Sequence, residues 1–401
     1  MRKVYIVAAR RSPIGAFMGS LSATHAADMS ALVVKAVLDD AGVAPEKVDE
    51  LICGNILSAG LGQGVARQAA VKAGIPVEVC AYSLNMLCGS GMKAVMNATT
   101  AIAAGEAEII VAGGVENMSA APFLLPKETR KGIRMGSFQA EDHMIKDALT
   151  DAFEDIHMGM TAENIAARHT LTREAQDDFA IASQEKAIRA VDEGLFDAEI
   201  VPIEARVGRE MVTFARDEYP NRKTNREKLG TLRPAFKKDG SVTAGNASGI
   251  NDGAAFLLLA SEDAVKAMNL TPLAEIVATA QAGVAPSVMG LGPVPAIRKA
   301  LNKAGMKLSE MELIELNEAF AAQSLGVVKE LSEEHGIKEE DILARANLFG
   351  GAIALGHPVG ASGARILVTL LFGMKRLNKK IGLASLCIGG GMGTAVIIKA
   401  V

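Results

Sequence analysis

The sequence has no tryptophan, three tyrosines and only four cysteines in 401 residues. The four cysteines, Cys53, Cys80, Cys88 and Cys387, are too few and too scattered for the disulfide framework of a small secreted protein. No C-x-x-C or H-x-x-x-H pair occurs, and such pairs are typical of zinc sites. We therefore expect free thiols, a reducing compartment and no metal.

Long runs of one charge and long apolar stretches are also missing. The net charge is -4 and the isoelectric point is near 6.0, so we expect neither nucleic acid nor a membrane surface as a partner. No apolar stretch is long enough to cross a bilayer. The apolar residues 4–7 are too few for the core of a signal peptide, and residues 398–401 carry no retention or peroxisomal signal. These features predict a cytoplasmic protein.

Hydrophobic residues, at 49% of the chain, are sufficient for two or three domain-sized cores. Short apolar segments alternate with amphipathic helical segments. The predicted strands cover residues 3–9, 51–55 and 108–112, and the predicted helices cover residues 28–41 and 63–73. This alternation predicts an α/β fold with a mostly parallel sheet covered by helices.

A change in composition divides the chain. Residues 120–248 are charged and irregular, with a clear helical pattern only at 174–193 and no alternating apolar runs, which indicates an inserted domain. The β-α pattern resumes afterwards, so the predicted halves are residues 1–119 with 249–272, and residues 273–401. The glycine-rich helix start at 360–364 repeats that at 88–92, which indicates an internal duplication.

Cys88 precedes a helix whose apolar residues predict burial on nearly all sides. The unpaired N–H groups and the dipole at a helix N-terminus favour a thiolate, which is the nucleophilic form of cysteine. The alternative is a small core residue.

A second interpretation of the same segment is a dinucleotide-binding turn. Gly89, Gly91 and Ala94 fit the G-x-G-x-x-G/A pattern, and Glu106 or Glu108 follows at a suitable distance for a ribose. Such a turn should follow a hydrophobic parallel strand, whereas residues 81–85 are mixed in character. A dinucleotide oxidoreductase is therefore the weaker hypothesis.

Three further polar side chains lie at predicted ends of secondary structure. Pro358 favours an extended His357 at a strand-to-helix turn, where the imidazole could accept the proton of a thiol. Cys387 ends a strand that runs into a glycine-rich turn, and the N–H groups of such a turn can bind an oxyanion. Asn317 follows a strand and precedes a helix predicted from Glu318, where a helix N-cap is the structural alternative.

Together, Cys88, Asn317, His357 and Cys387 indicate acyl transfer through a cysteine thioester. No serine has glycine both two residues before and two residues after it, which excludes a simple serine hydrolase. Two basic clusters of the insert suggest a surface for an anionic ligand, although solvated loop charge is the alternative. These clusters are Lys127, Arg130, Lys131 and Arg134, and Arg222, Lys223 and Arg226.

These blocks make the sequence resemble the thiolase family, of the acetyl-CoA acetyltransferase type, over nearly the whole chain. The matching blocks are residues 85–91, 157–159, 246–249, 317–320, 350–363 and 387–393. The resemblance implies two duplicated halves with mixed sheets packed around buried helices. It also implies that the inserted loop domain binds coenzyme A.

The resemblance also implies catalytic roles. Cys88 would become acetylated, and His357 would activate it. His357 and a water held by Asn317 would form one oxyanion hole, and the N–H groups of Cys88 and Gly389 the other. Cys387 would remove a proton from the second acetyl-CoA. The implied substrate and CoA contacts are His157, Met158, Arg222, Ser248, Met289, Ala319 and Phe320.

The implied partners are acetyl-CoA, acetoacetyl-CoA and CoA, which are substrates and products, so no separate cofactor is expected. A homo-oligomer, either a dimer or a tetramer, is also implied. Chain length stays open, because His157, Met158 and Met289 resemble short-chain members, whereas Phe349 resembles longer-chain 3-ketoacyl-CoA thiolases. A catalytically silent CoA-binding scaffold is the remaining alternative, although Cys88, His357 and Cys387 are all present.

Overall fold

The computed structural model describes residues 2–401 and contains fourteen strands over that range. The strands are β1 (Val4–Arg11), β2 (Gly15–Ala16), β3 (Glu50–Gly54), β4 (Cys80–Leu84), β5 (Ile109–Asn117), β6 (Phe123–Leu124), β7 (Glu141–Asp142), β8 (Ile203–Val207), β9 (Glu210–Phe214), β10 (Asn251–Ser261), β11 (Ala274–Gly283), β12 (Leu313–Leu316), β13 (Ile381–Ile388) and β14 (Met392–Ala400).

The same residues form twelve α-helices. They are α1 (Ala26–Ala41), α2 (Val65–Lys72), α3 (Ser90–Ala104), α4 (Met158–His169), α5 (Arg173–Asp192), α6 (Arg226–Thr231), α7 (Glu262–Ala267), α8 (Pro293–Ala304), α9 (Ala321–His335), α10 (Glu339–Leu343), α11 (Ala352–Leu355) and α12 (Ser362–Leu377). None of the helices described is both long and apolar enough to cross a membrane.

One large mixed sheet organises the chain, in the strand order β12-β13-β14-β11-β1-β10-β5-β3-β4, with β2 paired to β10. Its two halves meet at β1 and β11, which share only the pairs Tyr5 with Glu275 and Ile6 with Ala274. The strand that follows the insert, β10, returns to the first half and lies between β1 and β5.

Buried helices lie between the two halves of this sheet, and other helices cover the outer faces. In β10, Phe256 and Leu258 pack in a core with α1 and α2, whereas Leu257 and Leu259 pack in a core with α3 and α12. Successive strand residues point to opposite faces, so a strand covered on both sides is apolar at every position. A third core places α8 and α9 against the second half of the sheet.

The prediction of a mostly parallel sheet is wrong. Only β3 with β4, β3 with β5 and β12 with β13 pair in parallel, while β1, β10, β11 and β14 pair antiparallel with their neighbours. Two connections cause this difference. The insert returns the chain as β10, and the turn at Gly390 and Gly391, with φ of 75° and 85°, joins β13 directly to β14.

The insert contains more regular structure than the sequence predicts. Helix α4 precedes the predicted helix, now α5, and β8 and β9 form a hairpin. Alternation is present in β8, where Ile203 and Ala205 are fully buried and pack in the core of the first half. The alternation with Glu204 and Arg206 spans only five residues, and its last apolar residue, Val207, is exposed.

The N-terminal ends of α3 and α12 pack against each other through glycines. A Cβ at Gly91 would lie 2.9 Å from the carbonyl oxygen of Gly360, and one at Gly363 would lie 2.5 Å from the amide nitrogen of Met92. Both positions therefore exclude a larger residue. The two duplicated motifs therefore form the contact between α3 and α12. This contact brings the residues that precede α3 close to those that precede α12.

Candidate active site

Cys88 follows a strained turn at the N-terminal end of α3. Leu87 has φ of +48°, a left-handed conformation that costs a non-glycine residue about 1 to 3 kcal/mol. Neighbouring side chains hold the turn. The Leu87 N–H donates to Asn85 Oδ1 at 2.9 Å, and Ser90 Oγ accepts from the Met86 N–H at 2.8 Å and donates to the Leu87 carbonyl at 2.6 Å. The position of the Cys88 thiol is therefore fixed by local hydrogen bonds.

Burial raises the pKa of the Cys88 thiol to about 11. Hydrogen bonds from the backbone N–H groups of Gly389 and of Cys88 itself oppose this effect. The thiol is therefore protonated at neutral pH, because burial outweighs the N–H donors that favour a thiolate. A base is needed to activate Cys88. The two N–H groups predicted as an oxyanion hole both face its sulfur.

His357 is buried and held at both its backbone and its ring. Its N–H donates to Asn251 Oδ1 at 2.9 Å, and its Nδ1 lies 2.6 Å from Ser362 Oγ. Ser362 Oγ donates its own hydrogen to the Pro358 carbonyl at 3.0 Å, so it accepts from Nδ1–H. This network assigns the tautomer in which Nε2 carries no hydrogen.

Burial, with a further contribution from the charge of Arg365, lowers the pKa of His357 to about 3. The imidazole is therefore neutral at physiological pH and can accept a proton at Nε2. The residue follows the short helix α11 rather than a strand, so the predicted strand-to-helix turn is in fact a turn between two helices. The apolar run at 352–355 did not distinguish these possibilities.

Asn317 lies beside His357 at the end of β12. Its Nδ2 is 3.4 Å from His357 Nε2, and its Oδ1 is buried without a hydrogen-bond partner in the part of the chain described. Helix α9 begins at Ala321 with Phe320 as its N-cap, so Asn317 is not the N-cap. A buried amide oxygen without a protein partner is suited to bind a water or a substrate group.

Cys387 reaches the same site from the second half of the sheet. Burial raises the pKa of its thiol, and the neighbouring Cys88 raises it further, because two negative sulfurs close together repel each other. A Cβ added at Gly389, two residues after Cys387, would lie 3.0 Å from Leu87 Cδ1 and 3.6 Å from Met158 Sδ. The turn after β13 is therefore packed between the Cys88 turn and α4.

Six of the seven predicted substrate contacts are brought together near Cys387. Met158, Met289, Ala319 and Phe320 share one apolar cluster with it. His157 stacks on Phe236 with ring centroids 4.6 Å apart, and Phe236 in turn packs edge-on against Phe320 at 6.2 Å. The Ser248 N–H donates to the Ala319 carbonyl at 2.9 Å. Burial lowers the pKa of His157, so this residue is neutral at physiological pH.

Arg222, the seventh, is not part of this cluster. Its guanidinium is exposed and paired with Asp192 on α5 at 2.8 Å, and the nearby Arg226 is paired with Asp178 of the same helix. A cavity of about 560 Å³ on this side of the insert is lined instead by Lys223 and Lys228. The basic cluster was recognisable from sequence, but the acidic partners supplied by α5 were not.

Phe349 lies outside the substrate cluster. It packs edge-on against Phe196 at 6.5 Å and beneath the guanidinium of Arg376 at 5.4 Å. A Cβ at Gly373 of α12 would lie 2.7 Å from its ring. This aromatic side chain belongs to a separate core between α5 and α11, so its identity does not report the shape of the acyl site.

The glycines of the dinucleotide-like pattern serve packing instead. A Cβ at Gly89 would lie 2.3 Å from Ile388 Cδ1, and Gly91 packs against Gly360. The chain therefore covers the backbone that a pyrophosphate would need to approach. In residues 2–401, no group of three or more His, Cys, Asp or Glu side chains is arranged to hold a metal ion.

Sequence reasoning did not identify Ser362, Asn251 or Glu116 as parts of the site. Ser362 belongs to the duplicated motif, which was a usable signal. Asn251, in β10, contacts His357, which is 106 residues away in the sequence. Glu116, in β5, contacts Gly360, which is 244 residues away. Such contacts depend on the folded arrangement of the strands.

Replacing Ser362 by alanine is expected to lower kcat about fivefold with KM unchanged, because one buried hydrogen bond of about 1 kcal/mol selects the active tautomer of His357. Steady-state kinetics over a pH series would test this prediction. Thr369→Val is the control. Thr369 lies on α12, as Ser362 does, and its buried hydroxyl donates to Glu199 Oε1 at 3.1 Å. Equal losses of kcat in both variants would contradict a specific role for Ser362.

Comparison with known proteins agrees with this geometry. The chain matches the thiolase N-terminal domain over residues 4–263 and the thiolase C-terminal domain over residues 270–400. It is 54% identical over 400 residues to a Pseudomonas aeruginosa protein named acetyl-CoA acetyltransferase, covering 99% of each chain.

Two solved structures share the fold. Acetyl-CoA acetyltransferase from Syntrophomonas wolfei has a TM-score of 0.97 and 41% identity, with 100% of each chain covered. Human mitochondrial 3-ketoacyl-CoA thiolase has a TM-score of 0.94 and 44% identity, covering 100% of this chain and 99% of the human one. With thiolase domains spanning both halves and cysteines from both halves meeting at one site, the chain belongs to the thiolase family.

Proposed function

We propose that the chain is an acetyl-CoA C-acetyltransferase. It catalyses the reversible Claisen condensation of two acetyl-CoA molecules to acetoacetyl-CoA and CoA through an acetyl-cysteine. One observation carries the proposal: the half-buried thiol of Cys88 and the buried thiol of Cys387 lie together, with two N–H donors facing Cys88. The neutral His357 contacts Asn317, whose N–H donates to Ser385, two residues before Cys387. The name of the 54% identical relative supports it.

In the first half-reaction, His357 Nε2 takes the proton of the Cys88 thiol. The thiolate attacks the carbonyl carbon of acetyl-CoA, the C–S bond to CoA breaks, and CoA leaves as a thiol after taking the proton from His357. The carbonyl oxygen becomes negative during the attack. His357 and the amide of Asn317 stabilise this charge, the latter through a water bound at the buried Oδ1. Loss of one such donor costs about 3 to 4 kcal/mol of barrier.

In the second half-reaction, Cys387 first gives its thiol proton to His357, and the resulting thiolate accepts a proton from the methyl carbon of another acetyl-CoA. The enolate formed attacks the acetyl carbon on Cys88, and the departing Cys88 thiolate takes the proton back from His357. The N–H groups of Cys88 and Gly389 stabilise the oxygen of the acetyl-enzyme. The raised pKa of Cys387 suits this step, because a thiolate whose conjugate acid is weak is a stronger base toward carbon.

Two assays of the purified protein test the proposal: formation of acetoacetyl-CoA from acetyl-CoA, and cleavage of acetoacetyl-CoA by added CoA. A silent CoA-binding scaffold would bind CoA without turnover in either direction. The neutral His357 and its orienting network favour an enzyme, since a scaffold has no use for a base held in one tautomer.

We further propose that Lys223 and Lys228, rather than Arg222, contact the CoA phosphates. Both lysines line the 560 Å³ cavity, whereas Arg222 is already paired with Asp192. His157, Ser248 and Phe320 would line the route from this cavity to Cys88. CoA itself is substrate and product, so the mechanism requires no further cofactor.

Thiolysis of acetoacetyl-CoA is expected to exceed that of a ten-carbon 3-ketoacyl-CoA by about a hundredfold or more in kcat/KM. Met158 and Met289 are buried against Cys387, so methylenes of a longer chain would be forced against packed side chains. Measuring both substrates at the same CoA concentration tests this expectation.

Two variants make the comparison specific. Met158→Ala is expected to raise the relative rate with the longer substrate, because it opens space beside Gly389. Phe349→Leu is the matched control and should leave the ratio unchanged, because Phe349 packs in a different core. Equal rates for the two substrates in the unaltered protein would instead support a longer-chain 3-ketoacyl-CoA thiolase.

We propose a homotetramer in the cytoplasm. Exposed apolar side chains on the insert support self-association, because surfaces of this kind usually bind a partner. They are Phe123, Leu125, Met135 and Phe138. The free cysteines are consistent with a reducing compartment.

A further inference from the structure

Glu116 is a fully buried carboxylate near the end of β5. Its two oxygens accept four hydrogen bonds. Oε1 accepts from Asn55 Nδ2 at 2.9 Å and from the Leu57 N–H at 3.0 Å, and Oε2 accepts from the Ile56 N–H at 3.1 Å and from the Gly360 N–H at 3.0 Å. Three donors come from the segment after β3, and the fourth comes from the second half of the chain.

The Gly360 donor belongs to the short segment that connects His357 to α12. This segment is closely fitted to the first half. A Cβ at Gly360 would lie 2.5 Å from Glu116 Oε2, and one at Gly114 would lie 2.2 Å from the Gly360 carbonyl oxygen. The same carbonyl oxygen lies against Gly91 of α3, the helix that follows Cys88. Glu116 thus contacts the His357 segment at the point where that segment meets the Cys88 helix.

We propose that Glu116 is a positioning residue, which holds His357 in reach of the Cys88 thiol by binding the Gly360 N–H. This inference rests on the proposed function, because it assigns His357 as the base for Cys88. Glu116 touches neither substrate nor the reacting atoms. It acts on His357 through the backbone of residues 357–362. Its charge also raises the pKa of the Cys88 thiol, so loss of that charge alone would speed alkylation of Cys88 rather than slow it.

The requirement is for a carboxylate in particular. Each oxygen faces two donors, so an amide in place of the carboxylate would direct its own N–H₂ group at two of them. A buried donor left unpaired costs about 1 to 3 kcal/mol, and the Gly360 segment can relieve that cost by moving. Burial raises the pKa of Glu116 to about 7, although the N–H groups of Leu57, Ile56 and Gly360 oppose the shift. Glu116 is therefore mostly ionised at about pH 8, and the variants are compared at that pH.

Asp252 provides a matched control. It is also a fully buried carboxylate, and burial raises its pKa to about 6. It accepts from the Ser119 N–H at 3.0 Å and Oγ at 2.6 Å, and both groups lie in the first half of the chain. Asp252→Asn thus reports the general cost of altering a buried carboxylate whose own hydrogen bonds do not reach the His357 segment.

The experiment compares Glu116→Gln, Asp252→Asn and the unaltered enzyme at about pH 8. Glu116→Gln should lower kcat for acetoacetyl-CoA thiolysis by about ten- to a hundredfold with KM within about twofold, the effect of misplacing a catalytic group by about 1 Å. Alkylation of Cys88 by iodoacetamide, located by peptide mapping, should slow in parallel. Asp252→Asn should lower the melting temperature similarly while leaving both rates near those of the unaltered enzyme.

A second variant approaches the same contact from the other side. Gly360→Ala places a methyl group against Glu116 Oε2 and should give the same combination of reduced kcat and slow alkylation. Unchanged Cys88 alkylation in folded Glu116→Gln would overturn the proposal, as would equal kinetic losses in Asp252→Asn. If the unaltered protein had no thiolase activity, the proposed function would fail, while the alkylation rates would still decide the role of Glu116.

Discussion

Cys88→Ala is expected to abolish turnover, with a loss in kcat of at least about ten-thousandfold, because no other group can form the acyl intermediate. Cys387 cannot replace it, because His357 is the assigned base for Cys88 and Cys387 is assigned the proton transfer at carbon. The fold should persist. The turn before Cys88 is held by Asn85 and Ser90, whose hydrogen bonds do not involve the cysteine side chain.

Mass spectrometry after brief exposure to acetyl-CoA is the direct measurement. One acetyl group should appear per chain, peptide mapping should place it on Cys88, and initial rates should follow ping-pong kinetics. Cys80→Ser is the control, because Cys80 is exposed and lies in the strand just before the same turn. It should acetylate and turn over normally. An acetyl group found on Cys387, or on no residue, would contradict the assignment.

The sequence predicted the central helices well because their signals are local. Apolar spacing and flanking glycines locate α3 and α12, and the repeated glycine motif indicated the duplication that brings them together. The direction of the strands was not predicted, because it depends on where each connection returns. β10 and β14 join the sheet antiparallel, one after a long insert and the other through a glycine turn.

The candidate site shows the same division. Cys88, His357 and Cys387 were identifiable because each carries reactive chemistry next to a glycine-rich turn. The groups that set their protonation were not identifiable. Ser362 selects the tautomer of His357, and burial rather than a helix dipole determines the pKa of Cys88. The expectation for Arg222 came from the resemblance, and the fold pairs Arg222 with Asp192.

The duplication explains why two thiols occur at one site. Each half contributes a strand or helix end that faces the junction between α3 and α12, and each such end carries one cysteine. Cys88 faces the backbone N–H groups of Gly389 and of Cys88 itself, whereas Cys387 faces only its own N–H group. Cys387 is surrounded instead by the apolar residues Met158, Met289 and Phe320. These different surroundings suit an acyl carrier and a carbon base, respectively.

Cys387→Ser is therefore expected to separate the two half-reactions. The serine hydroxyl is too weak an acid to form a useful base, so condensation should fall by about a hundred- to ten-thousandfold, the usual contribution of a general base. Acetylation of Cys88 should continue at a rate within about threefold of normal, since Cys88, His357 and Asn317 are unchanged. Rapid mixing with acetyl-CoA should release one equivalent of CoA per chain in a burst, followed by slow turnover.

The control for Cys387→Ser is Cys53→Ser, which places a hydroxyl at another fully buried cysteine, in the core beneath α1 and α2. Burying a hydroxyl costs stability in both variants, so the two should show similar losses in melting temperature. Only Cys387→Ser should lose condensation while keeping the burst. If the burst declined in proportion to turnover, Cys387 would act in acetylation as well. The division of labour between the two thiols would then be wrong, even with Cys88 correctly assigned as the nucleophile.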